Sequence, residues 1–410
     1  MKNAAMSGRT DVLIASVPFG SWLVLLGLVA ACGSETATTA LPPSVGEGGM
    51  VGLPNGGAAG VSPAAGSGGT GGSGELGGSA LMPAVDAGVI PMGGVGGAPI
   101  LDAAVRLDAS DPIDAVGFVG EHGALRVSGN RVVDAHGQPI QLRGMSLFWS
   151  QWTNFYVAQN VDVLVDDWKA TVVRAALGVE NDGGYLVNQQ VNVDKVRAVV
   201  DQAIARGVYV IIDWHDHHAQ DHAVEARSFF EQMALAYGEQ PHVIFEVYNE
   251  PMDVAWPVVK SYAEDIIRAI RDAGSDNLII VGTPTWSQDV DVAAADRITS
   301  DDNVAYTLHF YADTHMQLLR NKATTALSAG IALFVTEWGT CSADGNGSIN
   351  EAQTQAWLTF LRENSIGWAN WALNDKDEAC SAIAPNGGAM GPWPDDRLTA
   401  SGRLVKQAIP

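Results

Sequence analysis

The stretch VIFEVYNEP (243–251) begins as a buried strand, with β-branched and aromatic residues in alternation, and then sets Tyr248, Asn249 and Glu250 where the apolar pattern still runs toward a core. Pro251 removes the next backbone donor and ends the ladder. A second segment, ALFVTEWGT (332–340), repeats the pattern and finishes on Glu337, Trp338 and Gly339. Two apolar strands that both spend their ends on a carboxylate call for one explanation.

Outward from these, eight strand-like segments follow in order: QLRGMSL (141–147), TVVRAAL (171–177), VYVIIDWH (208–215), VIFEVYNE (243–250), NLIIVGTP (277–284), VAYTLHFY (304–311), ALFVTEWG (332–339) and IGWANWAL (366–373). A hairpin-like start with turn signals at Gly129-Asn130 and His136-Gly137 precedes them. Amphipathic helical patterns lie between strands, for example 192–207 and 256–274, each closed by a glycine near its C-terminus. Strands alternating with helices predict parallel pairing, and eight units predict a closed (β/α)8 TIM barrel in the α/β class. An open doubly wound sheet is the alternative, but no Gly-rich phosphate loop follows the first strand. In the barrel, active sites form at the C-terminal strand ends. There the sequence places Arg174, then Asp213, Trp214 and His215, then Asn249 and Glu250, His309 and Tyr311, Glu337, and Trp371.

Composition divides the 410 residues into three. Residues 1–32 read as a signal peptide, with Lys2 and Arg9 ahead of the apolar SWLVLLGLVAAC (21–32). Val29-Ala30-Ala31-Cys32 has the form of a lipobox that makes Cys32 the lipidated first residue. An ordinary secretory signal is the alternative; either way the protein is expected to be exported, as an outer-surface or periplasmic lipoprotein or as a secreted protein. Residues 33–116, rich in Gly, Ala, Ser and Pro, read as a disordered linker with a random-coil reach of about 50 Å. Residues 117–410 are left for the barrel. With 46 acidic against 23 basic residues, no phosphate-neutralising surface and hence no nucleic-acid partner is expected. Membrane contact is expected only through the lipid, and the barrel is expected to be a monomer. Cys341 and Cys380, an even pair in an exported domain, predict a disulfide.

Two carboxylates facing each other among aromatics, without a metal motif, suit acid and nucleophile roles in glycosidic bond cleavage. Arg174 beside Glu337 would favour its charge, and that charge would disfavour ionisation of Glu250. Flat aromatic faces suit sugar rings, and Trp152, Trp286 and Trp371 are assigned to the cleft. The cluster WHDHHAQDH (214–222) raises a metal-dependent barrel hydrolase as a rival. The remaining ligand set is missing, so His217, His218 and His222 are read as loop residues, and no metal or cofactor is expected.

From about Gly117 onward the chain resembles the family 5 glycoside hydrolases, specifically the bacterial endoglucanase (cellulase) subgroup. The matching stretches are RGMS (143–146), VVRAAL (172–177), YVIIDWH (209–215), NEP (249–251), VGTPTWSQD (281–289), LHFYADTH (308–315), FVTEWGT (334–340), WANWAL (368–373) and NDKDEACSA (374–382). The resemblance implies a retaining endo-β-1,4-glucanase acting on cellulose or a related β-glucan, with its two carboxyls about 5 to 5.5 Å apart. It implies Glu250 as acid/base, Asn249 as the contact to the sugar 2-hydroxyl, and Glu337 as nucleophile oriented by Arg174 and Tyr311. His215 and His309 correspond to active-site histidines, Trp371 to the platform beside the cleavage point, Trp286 to one on the leaving-group side, and Lys376 and Glu378 to residues binding a sugar further along. Where many relatives carry a His after RGMS this chain has LFW, so Phe148 or Trp149 lines that subsite. Action on mannan or another β-glycan, and a non-catalytic glucan-binding surface lipoprotein, are the other readings; intact Glu250 and Glu337 argue against the last.

Overall fold

The computed structural model describes residues 117–410; the signal segment, Cys32 and the linker expected over 1–116 lie outside them. A helix, Gly117–His122, is followed by the hairpin of β1 (Arg126–Ser128) and β2 (Arg131–Val133), whose two-residue turn uses Gly129 at φ +60°. Then come β3 (Arg143–Leu147), β4 (Val172–Gly178), β5 (Tyr209–His215), β6 (Val243–Glu246), β7 (Ile279–Val281), β8 (Val304–Thr307), β9 (Phe310–Tyr311), β10 (Leu333–Phe334), β11 (Trp338–Gly339) and β12 (Trp368–Leu373). Eight of them form a parallel sheet in the order β10-β8-β7-β6-β5-β4-β3-β12. A parallel bridge between Val335 and Trp368 joins the two edges, with Ala369 N–H donating to Val335 O at 2.9 Å. The sheet is therefore a (β/α)8 barrel.

Helices pack outside, as the period of their apolar residues demands. Gln189–Ala205 buries Val193, Val196, Val199, Val200 and Ala203, and Trp256–Asp272 buries Val259, Ala263, Ile266, Ile267 and Ile270. Gly207 at φ +67° and Gly274 at φ +92° follow their C-termini. Among the described residues no helix is long and apolar enough to cross a membrane.

Four expected strands stop short or break toward their C-terminal ends, among them 277–284, which ends after Val281. The expected 243–250 leaves the regular strand after Glu246, and 304–311 and 332–339 are each interrupted and resume as a separate parallel pair, β9 with β11. His309 lies in the first gap and Glu337 in the second. Departure from the ladder is what lets these side chains turn toward the axis instead of alternating across the sheet.

Inside the barrel the alternation has one further result. Residues Val172, Ile211 and Ile244 belong to the cluster that fills the N-terminal half of the lumen, beneath Val119 of the first helix. Two positions on, at the same parity, the strands carry Arg174, Asp213 and Glu246, all fully buried. Apolar lumen gives way to charged lumen within one step.

Candidate active site

Arg174 occupies the centre of the charged lumen. Its Nε donates to Glu246 Oε2 at 2.7 Å, its Nη2 to Asn249 Oδ1 at 2.6 Å and toward Asp213 Oδ2 at 2.9 Å, and its Nη1 to Ser146 Oγ at 3.2 Å and Glu337 Oε2 at 3.4 Å. Burial alone would weaken its hold on the proton, but the carboxylates of Asp213, Glu246 and Glu337 raise it. Arg174 meets Glu337, and its shorter contacts are with Asn249, Glu246 and Asp213. Glu246 escaped the sequence reading. Its signal was present, as the single charge inside VIFEV at a lumen-facing parity, but it belongs to the strand interior and not to the strand end.

Burial pushes Asp213 and Glu246 each up to about 7 against the pull of Arg174. Asp213 accepts the Nδ1–H of His215 at 2.7 Å, and burial together with Arg174 holds His215 well below the ordinary histidine value, so the ring is neutral. His215 stacks on Trp371 with centroids 5.0 Å apart and planes 3° from parallel, and its other neighbour is Trp149, edge-on at 4.3 Å.

Tyr311 Oη donates to Glu337 Oε1 at 2.7 Å. Glu250 accepts at Oε1 from His309 Nδ1, 2.9 Å away, while His217 Nε2 stands 3.5 Å from Oε2. The role of each His309 nitrogen follows from its neighbours. Thr336 Oγ1 donates its single hydrogen to Glu246 Oε1 at 2.6 Å, so toward His309 Nε2, 2.9 Å away, it accepts. With Glu246 ionised, Nε2 therefore carries hydrogen, and the proton that comes and goes is on Nδ1, facing Glu250. A carboxylate oxygen of Glu250, one of Glu337 and a nitrogen of His309 all lie within 4.8 Å of one another.

Burial opposes the charge of Glu250, but the hydrogen bonds of His217 and His309 outweigh it and hold this carboxyl well below the usual range. Burial and the charge of Glu250 then lift Glu337 to about 7. This reverses the expected order of the pair. The reason is geometric: Glu337 shares Arg174 with Glu246 and Asp213, whereas Glu250 is met by two imidazoles, His309 at one oxygen and His217 at the other.

A cavity of about 340 Å³ opens over the pair, lined by Glu250, Trp286, Gln288, His309, Tyr311, His315, Glu337 and Ala343. Trp286 is 41% exposed and sits in a left-handed turn, with Thr285, Trp286 and Ser287 at φ +59°, +54° and +57°. Three such residues in succession cost about 1–3 kcal/mol each, and the surroundings enforce them. Trp286 N–H donates to Pro251 O at 3.1 Å, and Ser287 Oγ to Asn249 O at 2.7 Å. Trp152 is 52% exposed, 5.0 Å from Trp149. Phe148 packs on Trp371 at 5.3 Å, Lys376 Nζ lies over the Phe148 ring 5.4 Å from its centroid, and Lys376 pairs with Glu378 at 2.6 Å. Cys341 and Cys380 form a disulfide across a sequence separation of 39, tying the loop after β11 to the loop after β12.

His217, read from sequence as a plain loop residue, instead joins the site. Glu180 Oε1 accepts from its Nδ1 at 2.7 Å, and Glu180 Oε2 from His218 Nδ1 at 3.1 Å; His222 Nδ1 meets Asp216 Oδ2 at 2.7 Å. These carboxylates and imidazoles satisfy one another, and none is assigned to a metal. Glu180 lies far from the histidines in sequence, so no local pattern links them. His315 was also unassigned by role; its Nδ1 accepts Tyr311 N–H at 2.9 Å, which leaves the hydrogen on Nε2.

A family model described as cellulase (glycosyl hydrolase family 5) matches residues 133–377. Endoglucanase Z of Dickeya dadantii is 52% identical over 290 residues, 70% of this chain and 66% of that protein. An endoglucanase of Clostridium saccharobutylicum is 45% identical over 293 residues, 70% of this chain and 65% of that protein. The chain thus spans just under two thirds of the length of these curated relatives. Among solved structures, one from Cytophaga hutchinsonii aligns with a TM-score of 0.70 and 51% identity, covering 71% of this chain and 95% of that one. The catalytic domain of a Thermobifida fusca endoglucanase, in a variant complexed with cellotetraose, aligns at 0.68 and 32% identity, covering 71% and 98%.

Proposed function

The chain belongs to the cellulases of glycosyl hydrolase family 5, and on that footing we propose that it hydrolyses internal β-1,4-glucosidic bonds of cellulose or a related β-glucan with retention of configuration. The observation that carries this reading is the approach of Glu250 and Glu337 oxygens to within 4.8 Å. That approach suits the roughly 5–5.5 Å separation of a retaining pair better than the roughly 6.5–9.5 Å of an inverting one.

Glu337 is the nucleophile and Glu250 the acid/base. In the free site one proton is shared along the 2.9 Å line between His309 Nδ1 and Glu250 Oε1. Its transfer to Glu250 makes the acid and discharges Glu250 and His309 together, while Glu337, which holds no proton in this state, is the nucleophile. Glu337 attacks the anomeric carbon as Glu250 protonates the departing oxygen, giving a glycosyl ester on Glu337. Glu250 then takes a proton from the water that hydrolyses the ester. Tyr311 and Arg174 orient Glu337 by their hydrogen bonds. Asn249 Nδ2 is buried with no partner among the described residues, a donor that the sugar 2-hydroxyl would satisfy. Trp371 is the platform at the cleavage point, Trp286 and Trp152 extend it, and Lys376 and Glu378 bind a sugar further along.

Export completes the proposal: residues 1–32 direct secretion, Cys32 carries lipid, 33–116 tether and 117–410 catalyse as a monomer. A lipid mass on the peptide beginning at Cys32 is expected; soluble enzyme in the medium without it would overturn the anchor. For the activity, viscosity of carboxymethyl cellulose should fall well before reducing ends accumulate. Glucose released only from chain ends would overturn the endo assignment.

A further inference from the structure

Taking Glu250 as the acid/base, we propose that Glu180 is a positioning residue for the reaction, clamping His217 so that a second imidazole faces the Glu250 oxygen that His309 leaves free. Glu180 follows β4 by two residues, and both its oxygens are committed, to His217 Nδ1 at 2.7 Å and His218 Nδ1 at 3.1 Å. As a carboxylate it only accepts, so His217 Nδ1 carries hydrogen. The other nitrogen, Nε2, points to Glu250 Oε2 at 3.5 Å, while Oε1 is taken by His309 at 2.9 Å.

The backbone fixes this aim. His217 O accepts from Met252 N–H at 3.3 Å and from Tyr248 Oη at 3.0 Å, and Asp216 O accepts from Glu250 N–H at 3.4 Å, so the loop bearing His217 is stitched to the segment bearing Glu250. The His217 ring rests beside Trp149 at 5.4 Å. Of the charged and titratable groups around it, Glu180 and Glu250 touch it, His215 is neutral with its centroid 6.4 Å away, His218 shares Glu180, and Asp216 turns to His222 and Trp214. Glu250 for its part faces Glu337, His309 and His217, with Arg174 and Asp213 beyond.

An imidazole set between two carboxylates binds a proton at both nitrogens; burial opposes this, but Glu180 and Glu250 raise His217 to about 10. When Glu250 gives its proton to the leaving oxygen, the new carboxylate forms beside this cation. Glu180 therefore makes Glu250 a stronger acid without touching substrate.

The test is Glu180→Gln, which keeps an oxygen for His217 Nδ1 and removes the charge. On cello-oligosaccharides, whose leaving alcohol needs a proton, kcat/KM measured on the acid side of the alkaline limb, where the acid is protonated in both enzymes, should fall by up to about tenfold. On an aryl cellobioside with a good leaving group it should change by no more than about twofold. With the cation beside Glu250 lost, the carboxyl holds its proton longer, so the alkaline limb of kcat/KM should move up by about one pH unit. His217→Gln should reproduce both changes, and the double variant should add nothing further. Equal losses on the two substrates with an unmoved limb would make Glu180 a structural clamp only and overturn the proposal. Wild-type enzyme inert on both substrates would overturn the glycosidase reading itself, and this role with it.

Discussion

The two halves of the barrel lumen are built from the same strands with the same alternation, yet one is filled by Val172, Tyr209, Ile211, Ile244, Ile280 and Phe334 and the other by Arg174, Asp213, His215 and Glu246. Both are buried, so burial does not separate them. What does is the means of holding the side chains: packing in the lower half, and in the upper half a set of charges that have lost their water and hold only because they hold one another. The lower half is a plug whose members are replaceable by volume. In the upper half each residue sets the protonation of the next, from Asp213 and Glu246 through Arg174 to Glu337 and Glu250.

The largest difference between the halves should be in catalysis. Glu337→Gln should lower kcat on cellulose by about 10⁴ or more, while Ile211→Ala, in the plug and across the barrel from Glu337, should leave kcat within about twofold. A Glu337→Gln enzyme that keeps a tenth of its activity would put the nucleophile elsewhere. In stability the contrast changes sign of cause. Arg174→Met strands Asp213 and Glu246 without their cation and should destabilise by about 3–5 kcal/mol, recovered in part at low pH as the two carboxyls, already at about 7, take up protons. Ile211→Ala should cost about 2–5 kcal/mol with no such recovery, because only volume is lost. Urea melts of both variants at pH 5 and pH 8 measure this; parallel pH dependence would erase the distinction between plug and network. Replacing Cys341 and Cys380 together by serine should cost about 4 kcal/mol in the chain-entropy account of a loop of this length. The same urea series would read it, and an unchanged midpoint would show that the tie between the two loops adds nothing.

The lower half and the strand ends were legible in the sequence for different reasons. The plug shows itself by alternation, and Arg174, Asp213, His215, Asn249 and Glu250 stand out as polar residues closing apolar runs. Glu246 was equally visible as a charge inside VIFEV, but its importance depends on facing the lumen at the level of Asp213, and that register is a tertiary fact. The breaks that isolate His309 and Glu337 were hidden, because a strand that leaves its ladder for two residues keeps the composition of a strand. The left-handed turn at Trp286 was hidden too, since its hydrogen bonds run to Pro251 and Asn249. His217 looked like loop for want of Glu180, which comes to it from another strand end.

The central claim is that Glu250 and Glu337 act as acid/base and nucleophile of a double displacement. The most direct test is Glu250→Ala with an aryl cellobioside of good leaving ability, which needs no acid to form the glycosyl ester on Glu337 but lacks the base to clear it. Added azide should restore turnover and yield the β-glycosyl azide, with configuration retained. An α-azide, or turnover indifferent to azide, would contradict the assignment.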